Sequence, residues 1–264
     1  MSKVLAPQLT SRDKWLEVFP VNEAQRAAEF VFKTWGELSI KAPKTFNSSQ
    51  RENHITEHLG RYLRNGSLTK ARLLGWWTYE EPDGDSVIVD GELKAQGRIR
   101  KDIVYKSNST SNKRSARIEL IFEFKKLENT PNSCKIYRGK DGMRRFVDGN
   151  YAKGLPLALM VGMVIGDQNA CLQGLRRSLL STASKSDLRM VGDASGALLR
   201  DPSKVFPGVA YFDTEHNRPA GNAPTHGTML LSHMFVSLPA PHTSEIISKN
   251  EDPDFDVGEG LKLT

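Results

Sequence analysis

The chain has 264 residues, of which 38% are hydrophobic and 26% are charged, so it can bury a sizeable core and is expected to be globular. Its formal net charge of +6 is compatible with a polyanionic partner but does not by itself identify one. No stretch approaches about 18 consecutive apolar residues, and the N-terminus lacks the apolar core of a signal peptide, which predicts a cytoplasmic protein without a membrane span.

Helical spacing dominates the first third of the chain. Apolar residues recur at this spacing between residues 11 and 38, so we expect residues 1–46 to form a helical addition. Residues 48–66 predict a further helix, with Ser48 or Ser49 as the N-cap, Gly66 as the C-terminal stop, and an apolar stripe formed by Ile55, Leu59, Tyr62 and Leu63.

The hydrophobic period changes from helical to alternating between residues 74 and 125. Short strands are predicted in "LGWWTYEE", "SVIVDGELKAQ", "GRIRKDIVYKS" and "ARIELIFEFKK", with "NSTSNKRS" as a long hairpin loop before the last of them. Further along we expect a helix interrupted by a Gly near 132–154, a buried strand at 157–165, a helix at 167–184, and two closing strands in "GVAYFDTEHNR" and "TMLLSHMFVSL".

This order of elements predicts an α/β domain with a mixed sheet over residues 47–240. The remaining segment, 241–264, is acidic and poor in apolar residues, so a poorly ordered tail is expected there.

Charged residues occupy one face of the strand at 117–125. Residues two apart on a strand share a face, so Glu123 and Lys125 lie together while Ile118, Leu120, Phe122 and Phe124 form the apolar face. If the preceding strand forms a hairpin with this one, Asp102 comes close to Glu123. Carboxylates are the ligands that Mg²⁺ prefers, and an ammonium group beside them suits phosphodiester hydrolysis.

An Asp on one strand followed by Glu-Phe-Lys on the next resembles the PD-(D/E)xK nuclease superfamily, with Asp102, Glu123 and Lys125 at the motif positions. The resemblance covers residues 48 to 170 and implies a restriction-endonuclease-like fold, in which a mixed central sheet is flanked by helices. Lys101 stands where the pattern has Pro. The family usually adds a Glu from an upstream helix, and Glu52 is the candidate because it lies about 60° from Ile55 on a helical wheel, whereas Glu57 lies about 200° away.

The resemblance implies Mg²⁺-dependent cleavage of DNA, or less often RNA, with Mn²⁺ as a substitute metal. Asp102, Glu123 and Glu52 are then the metal ligands, and Lys125 positions the attacking water. Arg98, Arg100, Lys126, Arg144 and Arg145 are candidate contacts to the nucleic-acid backbone.

The closing strands are similar to those of restriction-like proteins from phage-defence systems, with Thr214, His216, Arg218 and His233 at matching positions but without an assignable mechanism. That similarity implies an antiviral nuclease component, with an ATPase or another defence subunit as a candidate partner. A homodimer is a further expectation, because cutting both strands of a duplex needs two sites or two events.

Two other functions fit parts of the sequence. A nucleic-acid-binding or assembly subunit would keep the fold, and Glu123 and Lys125 would then form a simple ion pair. "HITEH" matches the H-x-x-E-H zinc pattern of inverted metalloproteases, with His54 and His58 as ligands and Glu57 as the base, although no later acidic helix offers a third ligand.

Overall fold

The computed structural model describes residues 14–66, 71–83, 86–89, 92–95, 99–111 and 114–241. The helices are α1 (Lys14–Val18), α2 (Val21–Lys41), α3 (Glu52–Asn65), α4 (Pro131–Arg138), α5 (Met143–Val147), α6 (Gln168–Leu179) and α7 (Thr182–Asp187). The strands are β1 (Trp76–Asp83), β2 (Ser86–Val89), β3 (Glu92–Ala95), β4 (Ile99–Ser111), β5 (Arg114–Leu127), β6 (Leu157–Val164), β7 (Met190–Val191), β8 (Ala210–Asn217) and β9 (Thr228–Ser237). The predicted tail lies outside the described residues after position 241.

Seven strands form the main sheet in the order β1-β4-β5-β6-β9-β8-β7, and β2 pairs with β3 in a separate hairpin. The central strands β5, β6 and β9 are parallel, whereas the pairs toward both edges are antiparallel. The predicted α/β class with a mixed sheet is therefore observed. None of the described helices combines the length and apolarity that crossing a membrane requires.

Helices cover both faces of this sheet. On one face α2 and α3 pack against β5, with Val31 and Ile55 meeting the core that contains Phe122 and Phe124. On the other face α4, α5 and α6 form a second core, which includes Ile121. The alternation of β5 therefore divides its side chains between two cores, and Glu123 and Lys125 belong to the face that α4 and α5 cover.

The predicted hairpin loop "NSTSNKRS" is instead mostly strand. The β4/β5 ladder continues to the pair Ser111↔Arg114, so only residues 112 and 113 separate the two strands. Backbone amides and carbonyls pair in a ladder whatever the side chains are, which is why the polar composition misled the prediction.

Two helix boundaries also differ from the prediction. The Ser49 amide and hydroxyl both donate to Asn47 Oδ1, at 2.9 and 2.7 Å, so Ser49 is held in a local turn and α3 begins later, at Glu52. The helix predicted at 167–184 is two helices, because α6 ends at Leu179 and the Ser181 hydroxyl accepts from the Ser184 amide as the cap of α7.

Candidate active site

The candidate active site begins where β4 separates from β5. The last antiparallel pair of the β4/β5 ladder joins Ile103 to Phe122, while β5 continues alongside β6 as far as Leu127. At this fork the Phe124 amide donates to Asp102 Oδ2 at 2.9 Å. The Asp102 carboxylate thus accepts the backbone hydrogen bond that a neighbouring strand would otherwise accept. This contact fixes Asp102 next to the charged end of β5.

Glu123 and Lys125 lie on β5 beside this fork, and both are buried. Glu123 is 0% exposed and Lys125 is 6% exposed. The Lys125 ammonium lies 3.0 Å from Glu123 Oε1 and also donates to the Phe124 carbonyl at 2.8 Å. Burying two charged groups requires such pairing, because an isolated charge away from water costs several kcal/mol by rough estimate.

Glu52, the first residue of α3, joins the same cluster. Its Oε1 lies 2.5 Å from the Lys125 ammonium, and its Oε2 accepts from the Lys126 amide at 3.1 Å. Glu57 points to the other side of the helix and binds Arg61 at 2.6 Å. The structure therefore brings Glu52, Asp102, Glu123 and Lys125 together, as the sequence predicted.

Glu52, predicted as a metal ligand, makes two contacts to the segment of Lys125 and Lys126. Among the described residues, no three His, Cys, Asp or Glu side chains are arranged to hold one metal ion. Both Glu52 oxygens accept hydrogen bonds, from Lys125 and from the Lys126 amide, so the carboxylate holds the lysine in place, and its role as a third ligand stays a prediction.

Arg145 is a further member of the cluster. Its Nη1 lies 3.1 Å from Glu123 Oε1 and 2.7 Å from the Tyr151 hydroxyl, and its Nη2 lies 3.4 Å from Asp141. The sequence predicted Arg145 as a backbone contact for nucleic acid and overlooked Tyr151. No helix or strand period relates Arg145 to Glu123, because α4 and the turn between α4 and α5 separate the two residues along the chain.

Burial controls the electrostatics of the cluster. It raises the pKa of Glu123 to about 8, with the Asp102 charge adding to the rise and Lys125 and Arg145 opposing it. Burial likewise raises the pKa of Asp102. Burial alone would lower the pKa of Lys125, but Glu123, Asp102 and Glu52 together raise it above its ordinary value, so this lysine stays protonated.

One oxygen on each of two carboxylates remains available. Glu123 Oε2 is buried and has no hydrogen-bond partner among the described residues, and the bond of Asp102 to the Phe124 amide uses its Oδ2. A buried carboxylate oxygen without a partner is costly, by roughly 1–3 kcal/mol. Mg²⁺ commonly binds through one or two carboxylates together with water and substrate phosphate oxygens, so Asp102 and Glu123 are of the donor type that this ion accepts.

The other residues predicted to contact nucleic acid lie away from the acidic cluster or outside the described residues. Arg98 and the side chain of Arg100 are not among the described parts of the chain. Lys126 Nζ donates to the Ser48 carbonyl at 2.7 Å, and Arg144 is exposed on α5 with a 3.2 Å ion pair to Asp148. Of the candidates whose side chains are described, Arg145 is the one that contacts the acidic cluster through its side chain.

A second polar cluster is buried under α4, between β8 and β9. Thr214 Oγ1 lies 2.7 Å from His216 Nε2 and 2.9 Å from His233 Nε2, while His233 Nδ1 lies 3.0 Å from the Tyr137 hydroxyl. His216 Nδ1 lies 2.7 Å from the Leu188 carbonyl, which can only accept. With both imidazoles neutral, this fixes one direction of donation from Tyr137 through His233, Thr214 and His216 to Leu188.

The H-x-x-E-H pattern on α3 gains no support from the described residues. His54 is exposed, His58 packs edge-on against Phe46 with ring centroids 5.8 Å apart, and the Glu57 carboxylate binds Arg61. Because no third ligand from the described chain approaches them, a zinc site of the predicted kind is not assembled there.

Gly142 allows the tight turn that places Arg145. A Cβ at this position would lie 2.0 Å from the Tyr137 carbonyl oxygen, so Gly142→Ala must open the junction of α4 and α5. We expect a loss of at least about 2 kcal/mol in the free energy of unfolding. Urea titration measures it, and Gly36→Ala is the matched control, since that helical position has open space and alanine favours helix. Equal stability of the two variants would contradict this role for Gly142.

Comparisons with protein-family models, with curated proteins and with solved structures each give no significant match to this chain. The function must therefore be inferred from the chemistry of the cluster formed by Glu52, Asp102, Glu123, Lys125 and Arg145.

Proposed function

We propose that this protein is a Mg²⁺-dependent nuclease that hydrolyses phosphodiester bonds in DNA. The observation that carries the proposal is the Glu123 carboxylate, which is fully buried and whose Oε2 has no partner within the described part of the chain. Lys125 lies 3.0 Å from the other oxygen of the same carboxylate. Burying an acceptor in this state is unfavourable unless a ligand completes it.

Asp102 and Glu123 would hold the metal in this proposal. When bound there, Mg²⁺ would supply a Lewis acid for a phosphoryl oxygen and neutralise charge that develops during hydrolysis. The unpaired Glu123 Oε2 and the second oxygen of Asp102 are the atoms available for it. Mn²⁺, another cation that accepts oxygen ligands, is expected to substitute.

Lys125 has the contacts of a positioning and charge-stabilising group. It is held by Glu123 and Glu52 at 3.0 and 2.5 Å, so its ammonium has a fixed location at the end of β5. A preorganised cation stabilises the negative charge that accumulates on a phosphoryl group in the transition state. Its three protons face Glu52, Glu123 and the Phe124 carbonyl, so it would orient the attacking water by exchanging one of these contacts for the water.

The similarity of the closing strands, with Thr214, His216, Arg218 and His233, to restriction-like proteins of phage-defence systems supports a role in antiviral defence in the cytoplasm. DNA is the proposed substrate, while a homodimer and an ATPase or another defence subunit are the proposed assemblies. The restriction-endonuclease-like identity of the sheet is likewise part of this proposal, for which the mixed strand order with β5 and β6 parallel is supporting evidence.

The second candidate function is a nucleic-acid-binding or assembly subunit without catalysis. The observation that favours it is the double pairing of Glu123 Oε1, which contacts both Lys125 and Arg145 and so resembles a structural ion-pair network. The nuclease is expected to cleave DNA, whereas the binding subunit is expected to bind nucleic acid without cleaving it.

Plasmid cleavage with Mg²⁺ or Mn²⁺ tests the proposal. Asp102→Asn removes one carboxylate charge from the fork, and we expect it to reduce the cleavage rate at least about 100-fold while leaving the protein folded. Glu128→Gln is the matched control, because Glu128 is an exposed carboxylate just beyond β5. Equal cleavage by wild type and Asp102→Asn would refute the mechanism. Salt-sensitive DNA binding without cleavage under either metal would favour the binding subunit.

A further inference from the structure

Arg145 adds a fixed positive charge to a site that must receive a metal ion. Its guanidinium shares Glu123 Oε1 with the Lys125 ammonium, at 3.1 and 3.0 Å respectively. A second cation on the same oxygen is unnecessary for pairing one carboxylate, and it opposes the entry of any further cation by Coulomb repulsion. The position of Arg145 therefore needs an explanation beyond neutralising Glu123.

The charge balance of the cluster offers that explanation. Asp141, which also pairs with Arg145, is 62% exposed, so water screens its charge and it is left out of the balance. In the ionised forms, the remaining carboxylates of Glu52, Asp102 and Glu123 face the cations of Lys125 and Arg145, which leaves one net negative charge. A divalent metal alone would leave one net positive charge. A metal together with one phosphodiester, which carries a single negative charge, would leave the cluster neutral.

Arg145 is also held firmly in place. It donates to the Tyr151 hydroxyl at 2.7 Å, and its guanidinium lies over the Tyr151 ring at 5.1 Å. Arg218 in turn clamps the turn that carries Tyr151, donating to the carbonyls of Tyr151 at 2.8 Å and Ala152 at 2.6 Å. Ala152 has φ +55°, a conformation that needs such support.

We propose that Arg145, positioned by Tyr151 and Arg218, makes binding of the metal depend on binding of the phosphodiester, so that the two ligands enter the site together. This inference rests on the proposed nuclease function and deepens it by assigning a regulatory role to one charge. It also gives a role to Arg218, a residue that the sequence singled out without a mechanism. Arg218 is a positioning residue, because it acts on the site only through Tyr151 and Arg145.

Binding of Mn²⁺ alone and Mn²⁺ with a duplex tests the coupling, with electron paramagnetic resonance reporting free metal. A phosphorothioate duplex keeps the backbone charge and resists hydrolysis, whereas a methylphosphonate duplex is uncharged. We expect the charged duplex to tighten Mn²⁺ binding about 10- to 100-fold, the range of typical coupling between sites, and the neutral duplex to leave it unchanged. By reciprocity, Mn²⁺ should tighten binding of the charged duplex by the same factor.

Replacing Arg145 should remove this dependence. Arg145→Met is expected to bind Mn²⁺ alone about tenfold more tightly than wild type, with coupling reduced below about threefold. Lys153→Met is the matched control, because it removes one exposed positive charge from the same turn without touching Glu123, and it should behave as wild type.

The role of Arg218 is tested by combining variants. Arg218→Met should shift Mn²⁺ affinity in the same direction as Arg145→Met, and it should add nothing in the Arg145→Met background, since its effect passes through Arg145. Tyr151→Phe removes only the hydroxyl and gives a partial shift, which keeps the test valid if Arg218→Met does not fold.

The outcomes separate this inference from the proposed function. Independent binding of Mn²⁺ and charged duplex by wild type would overturn the coupling even if the protein cleaves plasmid DNA. An Arg218→Met effect of the same size with and without Arg145 would overturn the positioning role. Failure of wild type to bind Mn²⁺ at all would overturn both proposals, whereas failure to cleave, with coupling intact, would overturn only the nuclease function.

Discussion

Replacing Lys125 with methionine is expected to reduce DNA cleavage by about 1000-fold and also to destabilise the fold. The ammonium lies between Glu123 and Glu52, so its loss removes a preorganised charge from the reaction and leaves a fully buried carboxylate with Arg145 alone. Removing one partner of a buried ion pair costs about 3–5 kcal/mol. Single-turnover cleavage and urea unfolding measure the two effects separately.

A double variant distinguishes the effect on stability from the effect on chemistry. Lys125→Met with Glu123→Gln replaces the uncompensated carboxylate by a neutral amide, so much of the lost free energy of unfolding should return while cleavage stays absent. Lys135→Met, an exposed lysine on α4, is the control for loss of a positive charge. Wild-type cleavage by Lys125→Met would exclude the lysine from the mechanism.

Acidification from pH 7 toward pH 4 is expected to remove the stabilisation that the buried histidine cluster provides, in opposition to Glu123 and Asp102, whose raised pKa values add stability as the pH falls. Burial lowers the pKa of His216 to about 4, and burial followed by the charge of His216 lowers the pKa of His233 well below its ordinary value. In the unfolded chain both imidazoles regain a pKa of about 6.5. The unfolded state therefore binds more protons below pH 6.5, and the stabilisation that is complete above this pH is lost as the pH falls toward the folded values.

The expected slope is about 1.4 kcal/mol per pH unit for each proton taken up on unfolding. Urea unfolding between pH 7 and pH 4.5 gives the slope, and His233→Phe should reduce it, since phenylalanine can stack on Phe212 as the imidazole does but cannot bind a proton. His54→Gln, at an exposed position on α3, is the control. A wild-type slope unchanged by His233→Phe would show that the cluster does not control acid stability.

Local patterns in the sequence predicted the parts of the site that lie on single elements. The alternation along β5 placed Glu123 and Lys125 on one face, and the apolar stripe of α3 placed Glu52 toward the sheet. Both predictions depend on the periods of strand and helix, which are properties of the backbone alone. Asp102 followed from hairpin pairing, although the hairpin itself is longer than predicted.

The parts that the sequence did not predict depend on contacts between distant segments. Arg145 reaches Glu123 only because Gly142 permits a close turn, and Arg218 reaches the Tyr151 turn from the end of β8. A single sequence carries no periodic signal for such contacts. The pairing of Glu52 with Lys125 and with the Lys126 amide was also not predicted, because the sequence does not show which cation each carboxylate will contact.

The pair between Glu52 and Lys125 has a consequence for how the protein matures. The two residues are separated by 73 positions in the chain, and the loop between them contains β1 to β4, so their contact forms only after α3 has docked on a sheet that already includes β5. Closing such a loop is entropically unfavourable until the intervening strands have paired. Partly folded chains consequently lack an oriented Lys125, and under the proposed nuclease function they would not cleave DNA until the fold is complete.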